Sequence, residues 1–438
     1  MRPPLVSRSQ RMWGLIACLL FSTPSYAQTV VVPAPTPRLI SDSYFGMHMR
    51  WGATTPNWPA IRFYSWRVIT YETEWRGLEP QKGQWHFENL DSAVSRAHAR
   101  GIQVMLSLGQ TPPWAAARPM EKVPNGWGAS SEPKSMADWE NYIRTVVTRY
   151  KGKIKYYELW NEPRFREVDP YRATAGFTGT AKQMVEMGTI VKRVLNEIDP
   201  DAKLVSPAFD ARMLGLKRLK AWLDAGGGKI SDVIAYHIYA TPPEEIPAVV
   251  KALRNLVNQY GLNHLEIWNT ESGFLVESPD KEVKPMGGAV FAEVLSVERY
   301  AAFTSRSLIL GAASGLGRYY WYSWDIPGMA LTTGKGARLT AAGHAYIKTE
   351  RWLRDATINE CRTADEKLWI CTLSRGGRQA RLVWNTTGPR DWMVPSQWQA
   401  RQYETLPGKV TNIKSAGPFR VDESPVLILS DDQAWGTP

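Results

Sequence analysis

The chain has 438 residues, 44% of them hydrophobic: enough to bury a large core in more than one domain, and too apolar for global disorder. Its formal net charge of +11 comes from scattered Lys and Arg. With no basic block and no nucleic-acid motif, this argues against a nucleic-acid partner and is compatible with an acidic polysaccharide, a membrane surface or plain solvated charge. Six dispersed histidines and no Cys/His cluster give no indication of a metal or another cofactor, while twenty tryptophans suit a Trp-rich core or flat, hydroxyl-studded ligands.

Arg2, Arg8 and Arg11 precede an apolar run over 12–21 and small residues that end at Ala27. This pattern predicts a signal peptide over 1–27, cleaved near Ala27, and a periplasmic or secreted protein. The run is too short for a permanent span, and no other segment is long and apolar enough to be one. Leu15-Ile16-Ala17-Cys18 also looks like a bacterial lipobox, so lipid anchoring at Cys18 is the alternative. Removal of Cys18 with the leader leaves Cys361 and Cys371, an even pair that predicts one disulfide in an oxidising compartment.

The β-prone run 29–33 is expected to join a sheet formed by the C-terminal region, with 28–40 as strand and linker. Residues 44–51 read as a first barrel strand with His48 and Arg50 at its end, and 61–64 as a second. Arg62 lies inside that second segment, where a charge needs a partner, with Arg67 as its nearby competitor. An amphipathic helix over 90–100 stops at Gly101, and a third strand covers 102–108. Trp114 leaves that strand after two prolines, placed to stack on a sugar ring or on the prolines themselves. Helices over 136–150, 181–198 and 340–353 and strands over 203–206, 233–239 and 318–325 continue the alternation. After 353 the pattern turns to short strands, with a hairpin around Gly376-Gly377 and runs at 400–403, 409–413 and 426–429. The predicted fold is α/β: a (β/α)8 TIM barrel over 41–353 and a small all-β, sandwich-like domain over 354–438.

Two stretches carry the chemistry. Tyr156-Tyr157-Glu158-Leu159-Trp160-Asn161-Glu162-Pro163 is an aromatic strand stopped by proline, and Leu265-Glu266-Ile267-Trp268-Asn269-Thr270-Glu271 is a second strand ending in an acid. The two glutamates are about 109 residues apart, three units of a barrel that spends roughly 30 to 40 residues on each. They therefore fall on strands four and seven, facing each other across the mouth.

Asn161-Glu162-Pro163 and Thr270-Glu271 resemble the acid/base and nucleophile motifs of the clan A retaining glycoside hydrolases. Within the clan, residues from about 45 to 355 look most like glycoside hydrolase family 39, especially the periplasmic endoglycosidases of exopolysaccharide systems of the Psl type. The resemblance implies Glu162 as general acid and then base, and Glu271 as nucleophile. Tyr239 and Arg62 would support Glu271, and Asn161 would hold the sugar 2-hydroxyl. Trp324 would form the floor of the glycone subsite. By their strand-end placement His48 and His237 are further candidate substrate contacts, with a satisfied core histidine the alternative for His237. Arg164 stands where many relatives carry asparagine, and Ser272-Gly273 where an aromatic or a Trp-Gly pair is frequent, which leaves sugar specificity open. The expected protein is a secreted retaining β-glycosidase, endo-acting on a bacterial exopolysaccharide, without a cofactor and monomeric by default. A non-catalytic carbohydrate binder and an exo-acting β-xylosidase or transglycosylase use the same residues and stay open.

Overall fold

The computed structural model describes residues 29–436 apart from 56, 170–175, 211, 279–281, 285–292, 335, 366 and 414–417. The expected leader, its cleavage near Ala27 and Cys18 lie outside the described residues. Eight parallel strands close into a barrel in sequence order: β1 (Phe45–His48), β2 (Ser65–Val68), β3 (Gln103–Ser107), β4 (Tyr156–Glu158), β5 (Lys203–Val205), β6 (Val233–His237), β7 (Glu266–Ser272) and β8 (Tyr319–Trp321), which pairs back to β1. Alternation along these strands sorts the side chains. Met105, Tyr156, Val205, Ala235, Trp268 and Tyr320 form one buried cluster within the barrel. Their neighbours Leu106, Tyr157, Leu204, Ile234, Ile267 and Tyr319 belong to the larger core beneath the helices. Arg318 lies between the rings of Tyr156 (4.5 Å) and Trp268 (4.3 Å) at the start of β8.

Seven helices longer than one turn cover the described barrel: α1 (Glu88–His98), α2 (Met136–Arg149), α3 (Ala181–Ile198), α4 (Arg212–Asp224), α5 (Ile246–Gln259), α6 (Val297–Ala313) and α7 (Ala341–Leu353). In α3, Thr180 and Gln183 form a reciprocal capping box, and Met184, Met187, Val191 and Leu195 bury one stripe. Helix α6 has no polar face, because barrel and C-terminal sheet enclose it; nearly all of it is buried. Its Arg306 is held by Glu244 (2.6 and 2.8 Å), whose Oε1 also accepts from the indole of Trp384 in that sheet (2.8 Å).

The C-terminal region is a seven-stranded antiparallel sheet that includes Thr29–Leu39, which pairs with Thr357–Ala364. Leu368–Arg375, Arg378–Asn385 and Val426–Leu429 follow. Cys371, Leu373, Leu382 and Leu427 pack toward the barrel, whereas Ile370, Val383 and Ile428 face a ribbon formed by Arg390–Trp392 and Phe419–Val421. The second layer is this ribbon, smaller than the partner sheet of a sandwich. Cys361 and Cys371 lie directly opposite on neighbouring strands, with Cα atoms 4.1 Å apart, and are disulfide-bonded. Among the described residues no helix is long and apolar enough to cross a membrane.

One strand is displaced from its expected position. The second barrel strand begins at Ser65 and not at 61–64, because Ile61 and Phe63 fill space beneath the barrel beside the start of β1. Arg62 is exposed there, in a cavity shared with Asp42 and Glu350.

Candidate active site

Parallel pairing of β6 with β7 sets Glu271 opposite His237, and the chain leaving β4 carries Glu162 to the same end of the barrel. Glu162 has φ +45°, a left-handed conformation that costs a non-glycine residue about 1–3 kcal/mol and concentrates at functional sites. Its N–H donates to the Ala208 carbonyl (2.9 Å). A Cβ on Gly176 would lie 1.8 Å from the Glu162 carbonyl oxygen, so the chain passes this turn only as glycine.

The Tyr239 hydroxyl donates to Glu271 Oε1 (2.5 Å) and Arg67 Nη1 to Oε2 (2.8 Å). Glu162 Oε1 is 2.9 Å from His237 Nδ1, and its Oε2 is 3.5 Å from Arg164 Nη2. One atom each from Glu162, His237 and Glu271 lie within 4.8 Å of one another. This is the short-separation class of paired carboxylates, about 5–5.5 Å, and not the wider spacing that admits a water between them. The same trio could ligate a divalent cation, but Arg67 and Arg164 already bring positive charge to it.

Arg67 replaces Arg62 as the cation under Glu271. Fully buried, it donates through Nε to Glu158 (2.8 Å), touches the same carboxylate through Nη2, and donates through Nη2 to Asn161 Oδ1 (2.7 Å). Burial opposes its charge, yet Glu158 and Glu271 outweigh that and push its pKa up. Arg62 cannot serve, since it precedes β2 and lies at the other end of the strands.

His48 donates through Nε2 to the Thr270 carbonyl (2.8 Å); burial, then the Arg67 charge, hold its pKa well down and keep the ring neutral. His237 is pushed down to about 4, first by burial. Its Nδ1 donates to an ionised Glu162 or accepts from a protonated one, so the pair can keep one proton between them. Tyr239 is pushed well up, by burial and then by the Glu271 charge. Asn161 offers its N–H2 end, because Arg67 occupies the oxygen.

Two expected contacts are placed elsewhere. The Trp114 indole donates to the Glu79 carbonyl (2.9 Å) and packs edge-on to Trp75; Trp114 lies outside the cavity lining described below. Trp324 is buried, with Gly336 of the following hairpin against its indole nitrogen, and is likewise outside the lining. Tyr322, two residues earlier, lines the cavity and packs against His48 (5.1 Å).

That cavity, about 580 Å³, starts at Arg67, Asn161 and Tyr322 and extends over the ends of β1 to β3 as far as Tyr71 and Asn125. Glu74 also lines it, and burial pushes its carboxyl up to about 8. Sequence reasoning missed Glu158, Tyr322 and Glu74. The first carried a signal, since Glu158 shares the inward side of β4 with Tyr156, and an acid there demands a cation from another strand inside the barrel, here Arg67 of β2.

Over its barrel the chain is similar to glycoside hydrolases. The profile of Glycosyl hydrolase family 10 matches residues 42–218. A sequence relative is endo-1,4-beta-xylanase A of Phanerodontia chrysosporium, 28% identical over 144 residues, 33% of each chain. The chain thus spans about a third of that relative's length. The fold matches the GH39 enzyme of Xanthomonas axonopodis pv. citri with TM-score 0.57 at 13% identity, covering 91% of this chain and 96% of that one. A GH30 endoxylanase of Clostridium papyrosolvens C71 has the same TM-score at 13% identity, over 90% and 97% of the two chains.

Proposed function

We propose that this protein is a retaining glycoside hydrolase that cuts β-glycosidic bonds inside a polysaccharide, with Glu162 as acid/base and Glu271 as nucleophile. The observation that carries this is the pairing of two strand-end carboxylates within 4.8 Å, one addressed by two donors and the other by an imidazole. Both oxygens of Glu271 accept hydrogen bonds, which suits a nucleophile that acts as an anion. In the first step a Glu271 oxygen bonds to the anomeric carbon as the C–O bond to the leaving sugar breaks, and the Glu162 proton passes to that leaving oxygen. In the second, water gives its proton to Glu162 and its oxygen to the anomeric carbon, which releases Glu271 with retention.

Similarity to proteins named endo-1,4-beta-xylanases supports an endo-acting enzyme on a β-linked chain. The finer reading is a family 39-like endoglycosidase of a bacterial exopolysaccharide, of the Psl type, exported by cleavage near Ala27. Its catalytic unit would be 41–353, with 354–438 as a β domain that includes the N-terminal strand. Proton NMR of the first-formed anomer tests the mechanism: retention is expected, and inversion would remove the covalent step. Glu271→Gln should abolish turnover with an unchanged melting curve. A fully active variant would remove the nucleophile assignment, and binding without cleavage by the unaltered protein would leave a carbohydrate-binding barrel.

A further inference from the structure

The outer end of the cavity holds an aromatic side chain that neither the acid pair nor the core explains. Tyr71 lines the cavity and is 53% exposed. It stands on a one-turn 3-10 helix, Tyr71–Thr73, just beyond β2, and Thr70 and Thr73 lock that turn with a reciprocal capping box. The Arg76 guanidinium lies over the ring, 5.7 Å from its centroid. Behind Arg76 is the hairpin of Lys122–Val123 and Gly126–Trp127. Gly126 has φ +111°, and a Cβ there would lie 2.4 Å from Arg76 Nη2, so the hairpin is shaped to receive the guanidinium. Arg76 Nε and Nη1 are buried without hydrogen-bond partners among the described residues, which leaves its stacking on Tyr71 as the contact this geometry favours.

An aromatic ring backed by a cation, fixed on a capped turn and open toward a cavity is preorganised to receive a flat ligand face. Tyr71 is four residues beyond Arg67, at most about 14 Å away along the chain. Asn89 and Gln110 line the same cavity and offer amide partners for hydroxyls. We infer that Tyr71, braced by Arg76, is a stacking platform for a sugar ring of the substrate chain beyond the one attacked: a distal subsite that makes turnover depend on chain length. This rests on the glycosidase reading above.

The test compares the unaltered protein with Tyr71→Ala, Tyr71→Trp and Arg76→Gln. The substrates are 4-nitrophenyl β-glycosides and ladders of xylo-, gluco- and manno-oligosaccharides from disaccharide to hexasaccharide. Tyr71→Ala is expected to lower kcat/KM on the longest cleaved oligosaccharides roughly tenfold, the size of one aromatic contact. It should leave the short aryl glycosides unchanged, and Tyr71→Trp should restore the long-chain rate. Arg76→Gln should lose a smaller part of the same advantage. Equal losses on short and long substrates, or no loss on either, would overturn the platform and leave the glycosidase reading standing. Failure of the unaltered protein to cleave any member of the panel would count against both.

Discussion

Arg164 meets Glu162 twice: Nη1 is 3.3 Å from the Glu162 carbonyl oxygen and Nη2 is 3.5 Å from Oε2. Asp210 grips both terminal nitrogens of Arg164 and is itself bound by Arg218 (2.7 Å), which pairs with Asp169 (2.6 Å). The proposed proton donor therefore stands beside a cation that cannot swing away. Replacing Arg164 by Gln frees both the backbone and the side chain of Glu162 from this clamp, so kcat should fall roughly tenfold or more with an unchanged melting curve. Native turnover in the variant would show that Glu162 is positioned without Arg164.

Arg67 is expected to be the costliest residue of the site to remove. Arg67→Met leaves Glu158, whose side chain is 0% exposed, and Glu271 facing each other without a cation. Breaking a buried ion pair from one side costs about 3–5 kcal/mol, measurable by urea unfolding. Adding Glu158→Gln should return part of the stability and none of the activity. Full stability in the single variant would show that the pair is not buried in solution.

Glu74 sets a pH dependence of unusual sign. Its carboxyl, ordinarily near 4.5, is pushed up to about 8 in the fold, chiefly by burial. Between these values the folded state keeps a proton that the unfolded chain has released, so stability falls as pH rises, by about 1.4 kcal/mol per unit. This contribution is whole below 4.5 and gone above 8. His237 acts oppositely: held down to about 4 from 6.5, it withholds a proton that the unfolded chain binds, and stability falls as pH drops through that window. Melting curves of Glu74→Gln should show a gain over the parent at pH 8 that shrinks toward pH 5. A pH-independent difference would exclude the assignment.

Gly176 is expected to be needed for activity through the space it leaves for the Glu162 carbonyl. A methyl group there would meet the Glu162 carbonyl oxygen, so Gly176→Ala must displace the left-handed turn that aims this side chain. Misplacing a reacting group by about 1 Å can cost 10²-fold in rate. A kcat lowered by about that factor, with a folded circular dichroism spectrum, is the expected result; near-native turnover would show that the turn can shift.

Strand-end acids were legible because chemistry and periodicity coincide in them: Glu162 and Glu271 each follow an aromatic, apolar run and stand at a strand's exit. The all-β region was legible from its turns; the Gly376-Gly377 corner appears between Leu368–Arg375 and Arg378–Asn385. Arg67 was hidden by a competing pattern. Ile61-Arg62-Phe63-Tyr64 alternates as a strand should, but its apolar members serve the space below the barrel, and the strand starts four residues later, at Ser65. Trp324 was misplaced because an indole near a strand end fits a sugar floor and a covered core equally well; only the hairpin through Gly336 decides between them. Helix α6 escaped notice because, enclosed on all sides, it lacks the polar stripe that betrays a surface helix.

The strand Thr29–Leu39 finds its neighbour only at Thr357–Ala364, more than three hundred residues downstream. During synthesis it must therefore wait, unzipped, until almost the whole polypeptide has emerged, a long-range closure that is slow to form. Cutting the chain just after α7 would strand its eleven residues as a bare edge, so an isolated barrel should be prone to self-association.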